Sequence, residues 1–254
     1  MSNVEERPGA ARSSSSVADY YADPVQRSLL ARHLFNRSAQ HYDKVNRLFS
    51  LGSGAWYRRR CLRRAGVRPG ARIVDVAVGT GLLAREAVTL TGDDRGVTGV
   101  DISEAMLAIA RKNLRIPLIQ AAAEALPLAP EIAEFVTMGY ALRHVADLGA
   151  AFCEAIRILR PGGTIVLLEI SPPRNRLTRL LAKIYIGGIV PVLSLLMTRD
   201  RRARTLMLYH WHSIANYLSP DIVTSMMASS GFENVKCETE FGLFQLYTGR
   251  KAAG

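Results

Sequence analysis

Residues 75–81 read Asp-Val-Ala-Val-Gly-Thr-Gly and follow the apolar run Ala-Arg-Ile-Val at 71–74. A buried strand that ends on a carboxylate, Asp75, and opens into small residues, Ala77, Gly79, Thr80 and Gly81, presents backbone amides where a ligand can dock. The full dinucleotide fingerprint needs a further glycine. Ala77 stands in its place, so the loop is a poor pyrophosphate cradle. Asp101 lies twenty positions after Gly81 at the end of a second strand, where a carboxylate accepts hydrogen bonds from ribose hydroxyls. Ribose without pyrophosphate implies a nucleoside with a small tail, and S-adenosylmethionine fits. Two plainer readings stand beside this one: Asp101 as a cap of the helix starting near Ser103, and Asp75 as a structural strand-end acid.

The elements that must position these residues alternate along the chain. The strand ARIVDV, the helical GLLAREAVTL, the breaker TGDDRG and the strand GVTGVD form one βαβ unit from Arg72 to Asp101. Ser103 is a plausible N-cap for SEAMLAIARKN, in which Met106, Leu107 and Ala110 recur at helical spacing. PLIQ at 117–120, FVTMGY at 135–140 and TIVLLEI at 164–170 supply further strands, the last preceded by the helix AAFCEAIRIL. This alternation predicts an α/β fold with a doubly wound parallel sheet and helices on both faces. Ligands of such sheets sit beyond the carboxyl ends of the strands. There lie the 75–81 loop, Asp101 with Ile102, and Gly139 with the stretch YALRH at 140–144.

Composition narrows the class. A chain of 254 residues suits one large α/β domain with decorations. Its three cysteines, Cys61, Cys153 and Cys237, are widely spaced and form no C-x-x-C pair, which argues against a disulfide framework or thiolate metal site and for a reducing cytoplasm. The first 18 residues, polar and serine-rich, read as a disordered tail without an apolar leader. The net charge of +11 has three readings: a solvated surface, an anionic membrane, or nucleic acid. Arg60, Arg64 and Arg68 fall at helical spacing in WYRRRCLRRAGVR, and Arg199, Arg201, Arg202 and Arg204 follow the apolar run IYIGGIVPVLSLLM at 184–197. Interrupted by Gly187, Gly188 and Pro191, that run is expected to form a buried or interfacial helix pair in a soluble or peripheral protein.

The stretches LFNRSAQHYDKVNRLFSLGSGAWYRRR, IVDVAVGTGLLAREA, GVTGVDISEAMLAIARKN, AAAEALPL, YALRHVAD and ILRPGGTIVLLEISPP occur in that order. Over residues 33–172, and more loosely through SSGFENV at 229–235, the chain resembles the UbiE/MenG-type quinone-biosynthesis C-methyltransferases. The resemblance implies a Rossmann-like class I methyltransferase fold with a seven-stranded sheet. It also implies an N-terminal helical arm or lid over 19–68 and a donor-binding domain over 69–254, with a helical insertion at about 174–218 covering the acceptor. S-adenosylmethionine would be the methyl donor, S-adenosylhomocysteine the product, and the acceptor a small lipophilic quinol. By the same resemblance Thr80 contacts the methionine end of the donor, Asp101 the ribose, Ala122 and Ala123 the adenine, and Tyr42 closes over the donor.

The sequence departs from the family at identifiable places. Ala122 stands where a polar residue, often Asp or Asn, is common, and YALRH replaces F-G-L-R-N, retaining Arg143 but changing Tyr140, Ala141 and His144. YHWHSI at 209–214 and EFGLFQLYTGRK near the C-terminus keep only parts of the family pattern. These changes cluster on the acceptor side. There Tyr140 lies beside the transferable methyl, Arg143 is expected to stabilise a phenolate and His144 to take its proton. O-, N- or C-methylation of a specialised alkyl or aryl metabolite therefore stands as the alternative to quinol methylation. A nucleic-acid methyltransferase lacks its loop motif here, and a donor-binding scaffold without activity is the remaining rival. No metal site is expected: His210 and His212 lack a third ligand nearby. Peripheral contact with an anionic membrane is expected, and the oligomeric state is left open.

Overall fold

A computed structural model of the chain describes residues 24–173 and 175–253, so the tail expected over 1–18 and the start of the arm lie outside the described residues. Two helices come first, α1 (Pro24–Phe49) and α2 (Gly54–Arg64). The alternating unit follows: β1 (Ile73–Val76), α3 (Leu82–Thr91), β2 (Val97–Asp101), α4 (Glu104–Asn113), β3 (Leu118–Gln120), β4 (Ala133–Gly139), α5 (Leu148–Ile158) and β5 (Leu159–Ile170). The sheet order is β3-β2-β1-β4-β5 with every pairing parallel. Period-two alternation places Val136, Met138, Ile165 and Leu167 in the core on one face. Phe135, Val166 and Leu168 enter the core on the other.

The five alternating strands are parallel as expected, and the completed sheet is mixed. The last two strands, β6 (Glu233–Glu240) and β7 (Phe244–Arg250), form a hairpin, and β7 inserts antiparallel between β5 and β6. A three-residue connection permits only antiparallel neighbours, since a parallel return needs a crossover of a dozen residues or more.

The segment before that hairpin also differs from expectation. Gly187, Gly188 and Pro191 do not break it into a pair. Helix α6 (Arg176–Ala182), a π-helical stretch (Lys183–Ile189) and α7 (Val190–Thr198) run on as one helix. Pro191 has no N–H to donate, and the wider turn before it is where the ladder absorbs that loss. By length and composition Arg176–Thr198 is long and apolar enough to cross a membrane, with mean hydropathy 2.0 over its most apolar window. Its inner face is nevertheless committed to the protein. Ala182, Ile186, Val190 and Ser194, four residues apart, are buried, packed in part against α8 (Arg201–Ala215) and α1.

The basic face of α2 has the plain explanation. Arg60 and Arg64 pair with Glu240, Arg64 also with Glu238, and Arg68 just beyond the helix with Glu134. That surface is partnered by the protein's own carboxylates.

Candidate active site

The site begins where β1 and β4 end. Ala77 (φ 56°) and Tyr140 (φ 61°) both take the left-handed conformation that disfavours side chains bearing a Cβ. Such strain persists where the surroundings fix the chain, and it concentrates at functional sites. A Cβ on Gly79 (φ +57°) would meet nothing within 4 Å, because the loop opens onto a cleft. Gly81 (φ +89°) stands at the N-cap of α3 in a conformation L side chains rarely adopt, and a Cβ there would also press on the end of the Leu114 side chain.

Asp101 fastens two segments at once. Its Oδ2 accepts from the Gly79 amide and its Oδ1 from the Ser103 amide, each at 2.8 Å. It thereby ties the 75–81 loop to the start of α4, while Ser103 caps that helix through Met106 N–H. Burial pushes the Asp101 carboxyl up, and the two amides pull it back. It still lines the cleft, together with Gly79, Ile102, Ala122, Ala123, Gly139, Tyr140, His144 and, from α1, Phe35 and Tyr42. Helix α1 roofs the cleft and is fastened at two points. Asp43 accepts from the Thr80 hydroxyl at 2.6 Å, and Asn36 meets the Ser103 hydroxyl.

Asp75 and Thr80 lie in a small recess behind the loop, with Tyr42, Arg58, Ala77, Gly79 and Tyr140. Burial drives the Asp75 carboxyl up to about 7, although the Thr137 hydroxyl donates to it at 2.6 Å. Beyond the recess is a second cavity of different character, walled by Phe49, Trp56, Tyr57, Ile170, Met207, Ile214 and Phe244, with Asn46, Arg58, Arg143 and His210 as its main polar groups. Tyr42 and Tyr140 border the cleft, the recess and the second cavity alike. They form the partition between the cleft and the second cavity.

Two acceptor-side residues have partners within the protein. Arg143 and Glu169 form a buried ion pair, and Arg143 Nε donates to Ser213 Oγ at 3.1 Å. The guanidinium expected to meet a phenolate thus already has a carboxylate partner within the protein, and burial pushes that carboxyl up while Arg143 pulls it down. His144 turns toward the first cleft. Its Nδ1 lies 2.8 Å from the Tyr209 hydroxyl, and its ring stacks on Tyr209 and meets the edge of Phe35. The histidine bordering the second cavity is His210. Sequence spacing weighed it against a metal pair, with pocket lining or plain surface as the main readings; among the described residues no cluster of metal-ligating side chains occurs. The other residues missed were Phe35, Asn46 and Arg58. Their one visible signal was membership of the LFNRSAQHYDKVNRLF and AWYRRR stretches.

Burial, and next the charge of Arg143, pull the His210 pKa down to about 3. The unfolded value is about 6.5, so as pH falls below that the unfolded chain binds a proton that the folded chain refuses. Stability is then lost on acidification. Denaturant titration at pH 7 and 5.5 should show about 1 kcal/mol of this loss, absent in His210→Gln.

The seven-stranded sheet, the small-residue loop after β1 and the acid ending β2 define the class: a Rossmann-like class I S-adenosylmethionine-dependent methyltransferase. In solved structures, the fold matches a SAM-dependent methyltransferase from Thermotoga maritima, with TM-score 0.61 and 22% identity over 86% of this chain and 98% of that one. It also matches Haemonchus contortus phosphoethanolamine N-methyltransferase 2 in complex with S-adenosyl-L-methionine, with TM-score 0.56 and 17% identity over 77% of this chain and 52% of that one. The sequence model of the ubiE/COQ5 methyltransferase family matches residues 25–251. The chain belongs to that family. It is 32% identical to the ubiquinone/menaquinone biosynthesis C-methyltransferase UbiE of Shewanella sediminis, over 89% of this chain and 92% of the relative. It is also 32% identical to the protein of that name in Geobacter sulfurreducens, over 87% and 88%. The protein is a methyltransferase enzyme, and S-adenosylmethionine is its methyl donor.

Proposed function

We propose that the enzyme methylates a ring carbon of a lipophilic quinol, with the donor in the first cleft and the quinol ring in the second cavity. The observation that carries this reading is the partition: a cleft with backbone amides and a carboxylate meets an aromatic cavity at Tyr42 and Tyr140. The quinone-biosynthesis names of relatives aligned over nearly the whole chain support it.

The residues present fit the donor. Gly79 leaves open the space a side chain would fill, and Asp101, already holding two amides, has further lone pairs for ribose hydroxyls. Ala122 and Ala123 offer adenine an apolar wall, and Ile102 flanks them. Thr80, Gly81, Ala77 and Asp75 shape the loop toward the recess, and Gly139 lets β4 end close to it. When bound, the donor supplies a sulfonium methyl for in-line displacement. Tyr42 and Tyr140 align the two ligands and exclude water, and α1, pinned through Asp43 and Asn36, acts as the lid of the 19–68 arm. Positioning of this kind supplies on the order of 7–11 kcal/mol. Radiolabelled donor incubated with a panel of demethylquinols and a cell lipid extract should label a quinol ring carbon. Label on an oxygen or nitrogen of another metabolite would replace this reading with a specialised paralogue, and donor binding without any transfer would leave a scaffold.

The acceptor's solubility agrees with the outer surface. Leu177, Leu180, Leu181, Ile184, Ile189, Val192, Leu193, Leu196 and Met197 are exposed along Arg176–Thr198. The inner face of that helix packs, through Ala182 and Ile186, with Ile170 and Ile214, two residues of the cavity wall. Exposed Arg176, Lys183, Arg199, Arg201, Arg202 and Arg204 flank it. In this reading the helix lies on the cytoplasmic membrane face, each cation near an anionic surface contributing about 1 kcal/mol. Sedimentation with anionic vesicles should be strong at low salt, weaken as salt rises, and be lost in a Leu180→Glu/Leu196→Glu variant that retains donor binding. Absence of sedimentation at low salt would leave the acceptor to be sought in water.

A further inference from the structure

The second cavity contains a buried cation that the protein does not neutralise. Arg58, on α2, is 6% exposed and borders both the cavity and the recess. Its Nη2 donates to Asn46 Oδ1 at 2.9 Å, and its guanidinium lies over the Tyr140 ring, 5.5 Å from the centroid. Neither partner is charged. The contrast with its neighbours is sharp: Arg59 pairs with Glu86, Arg60 and Arg64 with Glu240, and Arg143 with Glu169. Among the described residues no carboxylate forms an ion pair with Arg58. Asp75 faces the same recess and feels the Arg58 charge, but it makes no ion pair with it, and burial outweighs that charge and pushes its carboxyl up to about 7. A guanidinium withdrawn from water without a counter-charge is costly unless a ligand supplies one.

We infer that Arg58 is the oxyanion-binding residue of the acceptor cavity, so that the acceptor is held as the anion of a hydroxyl adjacent to the carbon that is methylated. The inference rests on the aromatic-acceptor reading above and adds to it the residue and the charge state. The electron count requires such a group. The hydroxyl proton leaves to solvent as the acceptor binds, and the oxygen's electron pair enriches the neighbouring ring carbon. That carbon's pair forms the new C–C bond, while the pair of the breaking S–C bond stays on sulfur. The ring proton then moves through water to the oxygen, restoring the aromatic hydroxyl. A cation fixed beside that oxygen stabilises the charge before transfer and loses its partner only afterwards. Arg143 cannot serve equally, because it already has Glu169 as its partner.

The test uses 1-naphthol, whose anion absorbs at longer wavelength than the neutral form, bound to the full-length enzyme with S-adenosylhomocysteine. In the wild type the bound naphthol should ionise at a pH at least one unit below that of free naphthol. Arg58→Gln should abolish the shift, and Arg58→Lys should retain part of it. With a demethylnaphthoquinol as acceptor, kcat in Arg58→Gln should fall by about 10²-fold or more, with S-adenosylhomocysteine affinity within about twofold of wild type as the measure of an intact donor site. A wild-type complex that binds naphthol without lowering its ionisation overturns the inference without recourse to any variant. So does an Arg58→Gln enzyme with wild-type turnover. If wild type binds no naphthol and labels no quinol, the aromatic-acceptor reading falls and the inference with it. Transfer to quinols at comparable rates by wild type and Arg58→Gln removes Arg58 alone.

Discussion

Asp101→Ala is expected to weaken S-adenosylmethionine binding by 10²-fold or more. Two ribose hydroxyls lose an ionised acceptor, and bonds to charged groups contribute about 1.5–3 kcal/mol each, at 1.4 kcal/mol per tenfold in affinity. The same substitution removes the acceptor of the Gly79 and Ser103 amides, so the loop loses its order as the ligand loses its anchor. The two losses act in the same direction. Asp101→Asn separates them: its single carbonyl oxygen can retain one amide, and its binding should fall between wild type and Asp101→Ala. Calorimetry with S-adenosylhomocysteine measures both. Unchanged affinity in a folded Asp101→Ala protein would remove the ribose assignment and leave Asp101 as a helix cap.

The second large effect is on stability. Glu169→Gln strands the Arg143 guanidinium, which is 4% exposed, with Ser213 as its remaining side-chain partner. Breaking one side of a buried pair costs about 3–5 kcal/mol. For a domain of this size that lowers Tm by roughly 6–20 °C, at about 2–4 °C per kcal/mol. Arg143→Met combined with Glu169→Leu should recover much of the loss, because apolar replacements of similar volume remove both desolvation penalties together. Thermal melts of the two variants and the wild type decide it. A Glu169→Gln protein that melts within 2 °C of wild type, roughly 1 kcal/mol or less, would show that Arg143 does not depend on Glu169, and its expected place beside a phenolate would reopen.

Where the sequence was legible, the signal was local. The strand, the Gly-Thr-Gly turn and the helix after it are contiguous, and Asp101 follows within one βαβ unit whose closure brings it back to Gly79. Ser103 as N-cap was readable because a cap acts on amides two and three residues away. The apolar run at 184–197 misled because Gly187, Gly188 and Pro191 were counted as breakers. Four-residue burial of Ala182, Ile186, Val190 and Ser194 holds the helix together across them. Tertiary packing outweighs propensity in such a case.

The sequence by itself determined the frame of the first cleft: the order of the elements, the loop after β1, the acid ending β2, and the location at the carboxyl ends of the strands. Periodicity, turn chemistry and chain connectivity encode those features within some thirty residues. Only the tertiary structure decided the second cavity and its polar partners. Arg143 meets Glu169 across 26 positions and Ser213 across 70. Tyr140 is capped by an arginine from α2, His144 turns to the first cleft, and His210 borders the second cavity. Which of several arginines retains its charge depends on which carboxylates fold against it. That partnership is set by packing between distant segments, and no local pattern of residues records it.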